Sequence, residues 1–299
     1  MTTTFPRRAV GAAAAALLAV AACSGGTTSA PGGSAAATTG AIGCVAGSIT
    51  ASGSTALQPL VDAAGKAYQQ ACSGATIVVQ GGGSGTGLTQ VLQGAVQIGD
   101  SDVTAGSKLA TPDVNSLVDH IVARQGWIMV TNTDVTGVVN LTTQQATDIW
   151  TGKTTNWKDV GGPDMPIVLI LRPSSSGTRA TFRQIVLGGQ AEANTGTTLT
   201  EDSNGAVTTS VQQTPGATSV IGFAYYVPNK SGLNGLQLDG VDATVDNMTN
   251  ATYKLQAFGH MYSKGDATGL TQAFLDYMLS PEVQTTLIPS LYYAPAGSQ

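Results

Sequence analysis

Short apolar runs alternate along this chain with stretches whose apolar residues recur at helical spacing. The runs at 75–79 and 167–171 are rich in valine and isoleucine and are typical of buried strands. The stretches that follow them, 88–92 and 182–186, place apolar residues three and four positions apart, as one face of a helix does. This alternation of strands and helices predicts an α/β fold.

Three predicted strands each end in a turn rich in glycine and hydroxyl side chains, at 52–55, 83–87 and 174–178. A helix is expected after each turn, with Ser54 or Thr55 as the N-cap of the first. One such turn indicates little more than a capped helix. Three of them in one α/β chain favour a shared cleft at the carboxyl ends of the strands, where such folds bind ligands.

The third turn carries the clearest candidate chemistry. Arg172 follows the apolar run directly, and Ser176, Gly177 and Thr178 precede the predicted helix. Free backbone N–H groups at a helix start, together with the helix dipole, attract an anion. A guanidinium adds a planar pair of donors that fits an oxyanion. The alternative interpretation is a capped helix beside a solvated arginine.

The remaining elements follow from local signals. The pattern predicts a strand at 127–130 and a buried strand at 220–227. A helix capped by Thr142 or Thr143 and ended by Gly152 should bury Ala146, Ile149 and Trp150. Two helices are expected near the C-terminus, one from about Leu270 and one with Ser280 as N-cap and Pro281 in its first turn. The polar segments 196–218 and 228–250 are expected to form loops and short elements.

The N-terminus is expected to be an export signal. Arg7 and Arg8 form a positive segment, and residues 9–22 are small and apolar, so 1–22 are typical of a signal peptide that is removed. The sequence ending in Cys23 is similar to the lipobox of bacterial lipoproteins, which predicts a lipid on this cysteine; a plain signal peptide with an incidental cysteine is the alternative. Residues 23–43 have no hydrophobic period and predict a flexible tether.

The cysteine count agrees with export. If Cys23 carries lipid, Cys44 and Cys72 remain as a pair in an oxidising compartment, and a disulfide between them is expected. Two free buried thiols would suit an exported protein less well.

The composition and net charge of the chain indicate which classes of partner it can bind. Charged residues make up 10% of the 299 residues and the net charge is −5. Nucleic acid is therefore not an expected partner, because no basic stripe is available to neutralise phosphates. The apolar fraction of 42% is enough for a sizeable core.

Catalytic and metal signals are weak. The histidines are His120 and His260, and neither stands in a motif that marks a catalytic base. No Cys/His cluster indicates zinc and no phosphate-loop consensus occurs, so the sequence predicts no cofactor. A secreted serine hydrolase or phosphatase stays a minority alternative.

Several segments in order resemble one family, the phosphate-binding lipoproteins that serve ABC-type phosphate importers. The resemblance spans about 47–295. The segments that carry it are Gly53-Ser54-Thr55, Gly83-Ser84-Gly85-Thr86-Gly87, Ser101-Asp102, Leu141 to Gly162, Arg172 with Ser176-Gly177-Thr178, Ile221-Gly222-Phe223 and Phe274 to Glu282.

The resemblance implies a periplasmic-binding-protein fold of type II, with two α/β lobes and a ligand cleft between them. Lobe 1 is expected to comprise 44–130 plus 257–299, and lobe 2 to comprise 131–256. The ligand groups that it implies are Ser54, Thr55, Ala56, Ser84, Asp102, Arg172, Ser176, Gly177 and Thr178.

Asp102 matches the family carboxylate that accepts the hydrogen of a protonated oxyanion. Phosphate near neutral pH carries such a hydrogen and sulfate does not, so a buried carboxylate discriminates between them. Asp100, two positions earlier, is the competing candidate, and the spacing to Ser101 favours Asp102. The family often has an acidic residue two positions after the arginine; here that position is Ser174, so Arg172 needs another partner, and Arg179 is a second basic candidate.

The implied function is an extracytoplasmic solute-binding lipoprotein that delivers inorganic phosphate to ABC permease subunits, and a monomer is expected. Two other binding classes stay open: a lipoprotein for another oxyanion such as sulfate or molybdate, and a surface antigen or adhesion module with a vestigial cleft.

Overall fold

The computed structural model describes residues 1–2 and 43–297. The expected signal peptide, the lipidation at Cys23 and nearly all of the expected tether lie outside the described residues. Within the described part of the chain, no helix is both long enough and apolar enough to cross a bilayer.

The secondary structure alternates between strands and helices, as the sequence pattern predicts. The described strands are β1 (Gly47–Gly53), β2 (Ala75–Gln80), β3 (Ile98–Ser101), β4 (Leu117–Thr131), β5 (Asn140–Leu141), β6 (Val168–Leu171), β7 (Leu199–Thr200), β8 (Ala217–Gly222), β9 (Asn234–Leu238) and β10 (Gln256–Lys264). The described α-helices are α1 (Gln58–Ala71), α2 (Ser84–Leu92), α3 (Thr111–Val114), α4 (Thr143–Trp150), α5 (Gly177–Ile185), α6 (Asn204–Gln213), α7 (Phe223–Asn229), α8 (Val245–Thr249), α9 (Gly269–Met278) and α10 (Ile288–Ser290). A π-helical segment, Val283–Leu287, precedes α10.

One long strand connects the two halves of the sheet. The strand order is β2-β1-β3-β10-β4-β8-β6-β7. β4 pairs with β10 through 117–126 and with β8 through 127–131, so the same strand belongs to both halves. β1, β2 and β3 run parallel to one another, and β6 runs parallel to β8.

Two hydrophobic cores lie on either side of this connection. One packs α1 and α9 against β1 to β3, with Tyr68 and Phe274 fully buried and their ring centroids 6.0 Å apart. The other surrounds Trp127, Trp150 and Trp157, all buried. Burial of the apolar surface of these cores, aromatic and aliphatic, is the main favourable contribution to the folding of each half.

The three hydroxyl-rich turns meet, which confirms the predicted convergence. Gly83 N–H donates to the Gly53 carbonyl at 2.8 Å, which joins the turns after β1 and β2. Gly85 N–H donates to the Ser175 carbonyl at 2.9 Å, which joins the turns after β2 and β6. A Cβ on Gly53 would lie 2.1 Å from the Asp100 carbonyl oxygen, so this close approach requires glycine.

The capping and disulfide predictions are also confirmed. Thr142 caps α4 through a capping box with Gln145. Cys44 and Cys72 form a disulfide with Cα atoms 5.3 Å apart, which ties the segment before β1 to the end of α1.

Two predicted elements are wrong in part. Residues 223–227 form α7 rather than the end of a strand, because β8 stops at Gly222, whose N–H donates to Asn204 Oδ1 at 2.8 Å. The aromatic residues in this run favour a strand locally, but tertiary context decides such runs. α1 begins at Gln58 and not directly after Thr55.

The predicted loop at 196–218 contains a ten-residue helix, α6. Ser203 caps it by accepting from Ala206 N–H at 3.1 Å. Its buried face mixes Val207 and Val211 with Thr208 and Asn204, so the hydrophobic period is hidden by polar residues that are nonetheless buried. This helix brings Asn204 to the site described next.

Candidate anion-binding site

Asp102 lies at the centre of the converging turns. Its Oδ1 accepts hydrogen bonds from the Ser54 hydroxyl and from Gln125 Nε2, the latter at 2.9 Å. Its Oδ2 accepts from the Thr178 hydroxyl at 3.2 Å. Its backbone N–H donates to Ser84 Oγ at 2.9 Å. Asp102 therefore contacts residues from all three turns, the first and third through its carboxylate and the second through its backbone N–H.

Burial sets the protonation behaviour of this carboxyl. Burial raises the pKa of Asp102, and hydrogen bonds from Ser54, Gln125 and Thr178, with the Arg172 charge, lower it against that effect. Asp100 is buried on β3, two residues before Asp102, and has no such donors; burial, and then the Asp102 charge, raise its pKa well above the usual value. The pKa of both carboxyls is raised, but hydrogen-bond donors favour the ionised form of Asp102 alone. That Asp102 is the acceptor for a ligand stays a prediction.

Arg172 is buried at the end of β6 with part of its guanidinium unpaired. Nη2 donates to the Asp202 carbonyl at 2.8 Å and to Thr55 Oγ1 at 3.2 Å. Nε and Nη1 are buried and have no hydrogen-bond partner among the described residues. Because buried donors are almost always satisfied, two unpaired donors on one buried cation indicate an anionic ligand at this position.

The partner that Arg172 lacks at Ser174 is supplied elsewhere. The Asp202 carbonyl accepts from Nη2. Burial lowers the pKa of Arg172, and the Asp102 and Asp202 charges oppose that lowering. Arg179 holds the main chain, since its Nη1 donates to the Arg172 carbonyl at 2.6 Å.

Arg179 itself belongs to a partly buried ion network. Its Nη2 lies 2.9 Å from Glu192, whose side chain is almost fully buried and also contacts Arg183. Hydrogen bonds from both arginines lower the pKa of Glu192 against the raising effect of burial. The structure thus gives Arg179 a supporting position behind the strand end.

Three hydroxyls, one from each turn, keep a hydrogen to donate. Thr55 Oγ1 accepts from Asn204 Nδ2 at 2.9 Å, Ser84 Oγ accepts from Asp102 N–H, and Ser176 Oγ accepts from Arg179 N–H at 3.1 Å. Within residues 43–297, none of these three hydroxyls donates to a protein acceptor. Each is therefore oriented by the protein with its own hydrogen available.

Other predicted ligand groups are engaged with the protein. The hydroxyls of Ser54 and Thr178 donate to Asp102, and Ala56 N–H donates to Ser54 Oγ at 3.1 Å. These residues surround the site, and their direct contact with a ligand stays a prediction.

Gly177 lies directly against Ser84 and Asp102. A Cβ there would come within 2.1 Å of Ser84 Oγ and 2.8 Å of Asp102 Oδ2. The residue is the first of α5, so its N–H and that of Thr178 have no intrahelical acceptor. Oδ2 of Asp102 consequently lies beside the start of α5.

Lys108 adds a positive charge across the cleft. Its Nζ donates to the Ser174 carbonyl at 2.8 Å, although the residue itself follows β3 on the opposite side. Burial, and then the charges of Arg183 and Arg179, lower the pKa of Lys108, while Asp102 raises it. This contact joins the third turn to the segment after Asp102.

Sequence reasoning missed several residues that shape the site: Lys108, Gln125, Trp127, Asp202 and Asn204. Asn204 was hidden because its helix lacks a clear apolar period. The two residues on β4 lie within a strand, where sequence gives no sign that a polar or indole side chain points into a cleft. Alternation along β4, with Gln125 and Trp127 two apart, is the one signal that places both on the same face.

Neither histidine joins these residues. His260 Nδ1 lies 2.9 Å from Asp119, and His120 Nε2 lies 3.4 Å from Ser263. In the part of the chain that the structure describes, no group of three or more His, Cys, Asp or Glu side chains could hold a metal ion. The arrangement offers many donors and one acceptor, which is the composition of an oxyanion site.

Comparison with known proteins agrees with this geometry. Residues 29–282 match the model of the PBP superfamily domain. The phosphate-binding protein PstS of Bacillus subtilis (strain 168) is 45% identical over 249 residues, which are 83% of this chain and 81% of that protein.

Solved structures share the fold. A candidate phosphate ABC transporter substrate-binding protein from Clostridium perfringens, with bound phosphate, has a TM-score of 0.75 and 30% identity; the match covers 83% of this chain and 99% of that one. An ABC-type phosphate transport receptor from Vibrio cholerae has a TM-score of 0.65 and 28% identity, with 82% and 99% covered. These relatives are non-enzymatic binding proteins. The chain therefore belongs to the PBP superfamily and, within it, to the family of the phosphate-binding proteins.

Proposed function

We propose that this chain is an extracytoplasmic solute-binding lipoprotein that captures inorganic phosphate and delivers it to an ABC importer. Family membership supports the ligand class and the transport role. The observation that carries the proposal for this chain is Arg172, whose Nε and Nη1 are buried without a partner among the described residues. A tetrahedral oxyanion satisfies both donors in one bidentate contact.

The remaining phosphate oxygens are matched by donors from every turn. Thr55, Ser84 and Ser176 contribute hydroxyl hydrogens, and Gly177 and Thr178 contribute N–H groups at the start of α5. Ser54 and Ala56 complete the first turn and orient its hydroxyls. These neutral donors and the positive charge of Arg172 favour an anion locally, although the whole chain has a net charge of −5.

Asp102 selects for an anion that carries a hydrogen. Its Oδ2 has a single protein donor, Thr178 at 3.2 Å, and so can accept a P–O–H hydrogen. Sulfate at neutral pH brings only acceptors, and it would set an oxygen against this carboxylate without a hydrogen between them. The cost of that unpaired, buried contact separates the two anions.

The two lobes close over the ligand. We assign 44–130 plus 257–299 to lobe 1 and 131–256 to lobe 2. The two hydrophobic cores support a division near these bounds, although residues 127–130 at the end of β4 pack in the core of lobe 2. Phosphate bridges groups from both lobes and thereby stabilises the closed form, which is the shape that permease subunits recognise. The contacts of Lys108 and Gly85 with the third turn join the lobes in that form.

The protein is held at the outer face of the cell membrane by lipid on Cys23 and acts as a monomer. Residues 1–22 are removed as a signal peptide and 23–43 serve as the tether. The lipobox-like sequence, the disulfide between Cys44 and Cys72, and a family match that begins after Cys23 support this assignment. Metabolic labelling with a palmitate analogue tests it: a Cys23→Ala variant should lose the label and appear in the medium, and equal labelling would contradict the assignment.

Isothermal titration of the soluble domain, unfolded and refolded to strip bound anion, tests the ligand. Phosphate should bind at one site per chain, and sulfate should bind at least about a hundredfold more weakly, as expected for a site that leaves a buried polar group unpaired. Binding of sulfate or molybdate in preference to phosphate would favour another oxyanion receptor. Binding of none of these anions would contradict the proposal, and turnover of a phosphoester would favour a hydrolase.

A further inference from the structure

Gln125 is a buried polar residue on β4 that lies outside the predicted ligand set. Its side-chain amide donates from Nε2 to Asp102 Oδ1 at 2.9 Å. Its Oε1 is buried and has no hydrogen-bond partner among the described residues. A buried carbonyl without a donor lowers stability, so the residue is poorly explained by folding alone.

The orientation of the amide depends on the state of Asp102. With Nε2 toward Oδ1, Gln125 serves an ionised carboxylate. The reversed amide would set Oε1 against Oδ1, which is favourable only if Asp102 carries a proton on that oxygen. The observed arrangement therefore matches a carboxylate that only accepts hydrogen bonds.

The same face of β4 also controls the other carboxylate oxygen. Trp127, two residues on, donates from Nε1 to Thr178 Oγ1 at 3.0 Å. An indole nitrogen is a donor only, so the Thr178 hydroxyl accepts there and directs its own hydrogen to Asp102 Oδ2. β4 thus supplies a donor to Oδ1 directly and to Oδ2 through Thr178.

We propose that Gln125 is a positioning residue for ligand selection: it keeps Asp102 as an acceptor and so makes the site prefer an oxyanion that brings a hydrogen. This inference rests on the proposed phosphate function, because selection is defined only for an anion bound beside Asp102. Gln125 acts through Asp102 and not by touching the ligand.

Other charged and titratable groups near Asp102 stay unchanged when Gln125 is replaced. They come from four places: Asp100 on β3, Lys108 after β3, Arg172 at the end of β6, and Tyr293 in the C-terminal segment. Because these groups are common to the parent and to every Gln125 variant, a comparison between the proteins tests the donor at Oδ1.

Two variants separate this role from a structural one. Gln125→Met keeps the size of the side chain but removes the donor, which raises the pKa of Asp102 and lets it donate from a protonated oxygen. Gln125→Glu keeps a donor only while the new carboxyl is protonated. Gln284→Met is the matched control, because the amide of this partly buried glutamine donates to the main-chain carbonyls of Val122 and Met278.

The experiment is competitive titration calorimetry with phosphate and sulfate from pH 5 to pH 8.5, with circular dichroism to check folding. For Gln125→Met, the phosphate-to-sulfate affinity ratio should fall at least about tenfold at pH 6 and recover as the pH rises, as expected for the loss of one bond to a charged group. Gln125→Glu should bind phosphate about as tightly as the parent at pH 5. At pH 8.5 it should bind phosphate at least about tenfold more weakly than the parent, since the two facing carboxyls are then both ionised. Gln284→Met should match the parent throughout.

The outcomes are distinguishable. A parent that binds phosphate, with a ratio in Gln125→Met within about twofold of the parent at every pH, overturns the role of Gln125 and leaves the proposed function intact. If Gln125→Met does not fold, the pH profile of Gln125→Glu decides: a profile parallel to that of the parent overturns the inference. A parent that does not bind phosphate overturns both proposals.

Discussion

Replacing Asp102 by Asn should weaken the preference for phosphate over sulfate. Ser54 and Gln125 both donate to Oδ1, so the carbonyl oxygen of an asparagine must occupy that position. The amide nitrogen then replaces Oδ2, the oxygen that faces the start of α5. The substitution thus converts the one acceptor at the ligand into a donor, without changing the size of the side chain.

The size of the effect follows from the number of bonds involved. Sulfate exchanges a repulsive contact for one hydrogen bond to a charged acceptor, which is worth about 1.5–3 kcal/mol. Each 1.4 kcal/mol is a factor of about ten in Kd, so sulfate affinity should rise about 10- to 150-fold. Phosphate can turn an unprotonated oxygen toward the new donor, so its affinity should change less than that of sulfate. The affinity ratio should therefore fall by at least about tenfold.

Competitive calorimetry at pH 7 on anion-stripped protein measures this ratio directly. Asp100→Asn is the matched control, because this buried carboxyl is two residues away and no described residue shares a side-chain hydrogen bond with it. An unchanged ratio in Asp102→Asn would refute the role of Asp102 in selection. An equal change in both variants would show that loss of either buried carboxyl, and not the contact at Oδ2, sets the preference.

Three further predictions concern stability and affinity. Because burial raises the pKa of Asp100, its carboxyl takes up a proton on folding. The free energy of unfolding should therefore fall as the pH rises above about 4, the pKa of this group in the unfolded chain. In urea unfolding series from pH 4 to pH 8, Asp100→Asn should flatten this slope, and an unchanged slope would contradict the prediction. Arg172→Lys should weaken phosphate binding at least about tenfold in calorimetry, since an ammonium cannot replace both Nε and Nη1. Arg124→Lys, a control in which the replaced guanidinium lies above the Phe258 ring, should bind phosphate as the parent does. Equal phosphate affinities of the two variants would count against the bidentate contact. Replacing Cys44 and Cys72 by Ser should lower the free energy of unfolding by about 3 kcal/mol, because a loop of this length is freed in the unfolded chain, and a loss below 1 kcal/mol would mean that the disulfide adds little.

The turns were predictable because their chemistry is local. Glycine and hydroxyl residues directly after an apolar run indicate a strand-turn-helix unit. Arg172 and Ser176 both lie in the turn of such a unit, so their positions can be predicted from the sequence. Asp102 required the family resemblance as well, because a carboxyl beside a second carboxyl, Asp100, gives no local sign of which one faces the cleft.

The rest of the site depends on tertiary placement. Asn204 contacts Thr55 although the two residues are 149 positions apart in sequence, and it lies on a helix whose buried face is half polar. Gln125 acquires its role from the crossing of β4 between the two cores. The segment 223–227 also depends on tertiary placement. Its residues favour a strand locally, but β8 ends at Gly222 and the segment is helical.

The central claim is that a tetrahedral anion lies between Arg172 and Asp102. Arsenate has the shape and hydrogen of phosphate and a strong anomalous signal, so crystals of the stripped protein grown with arsenate can place the anion directly. We expect one anomalous peak for arsenic per chain, within about 4 Å of Arg172 Nε or Nη1, as a bidentate contact to an oxygen of the anion requires. A peak at any other position, with the guanidinium of Arg172 still unpaired, would contradict the account.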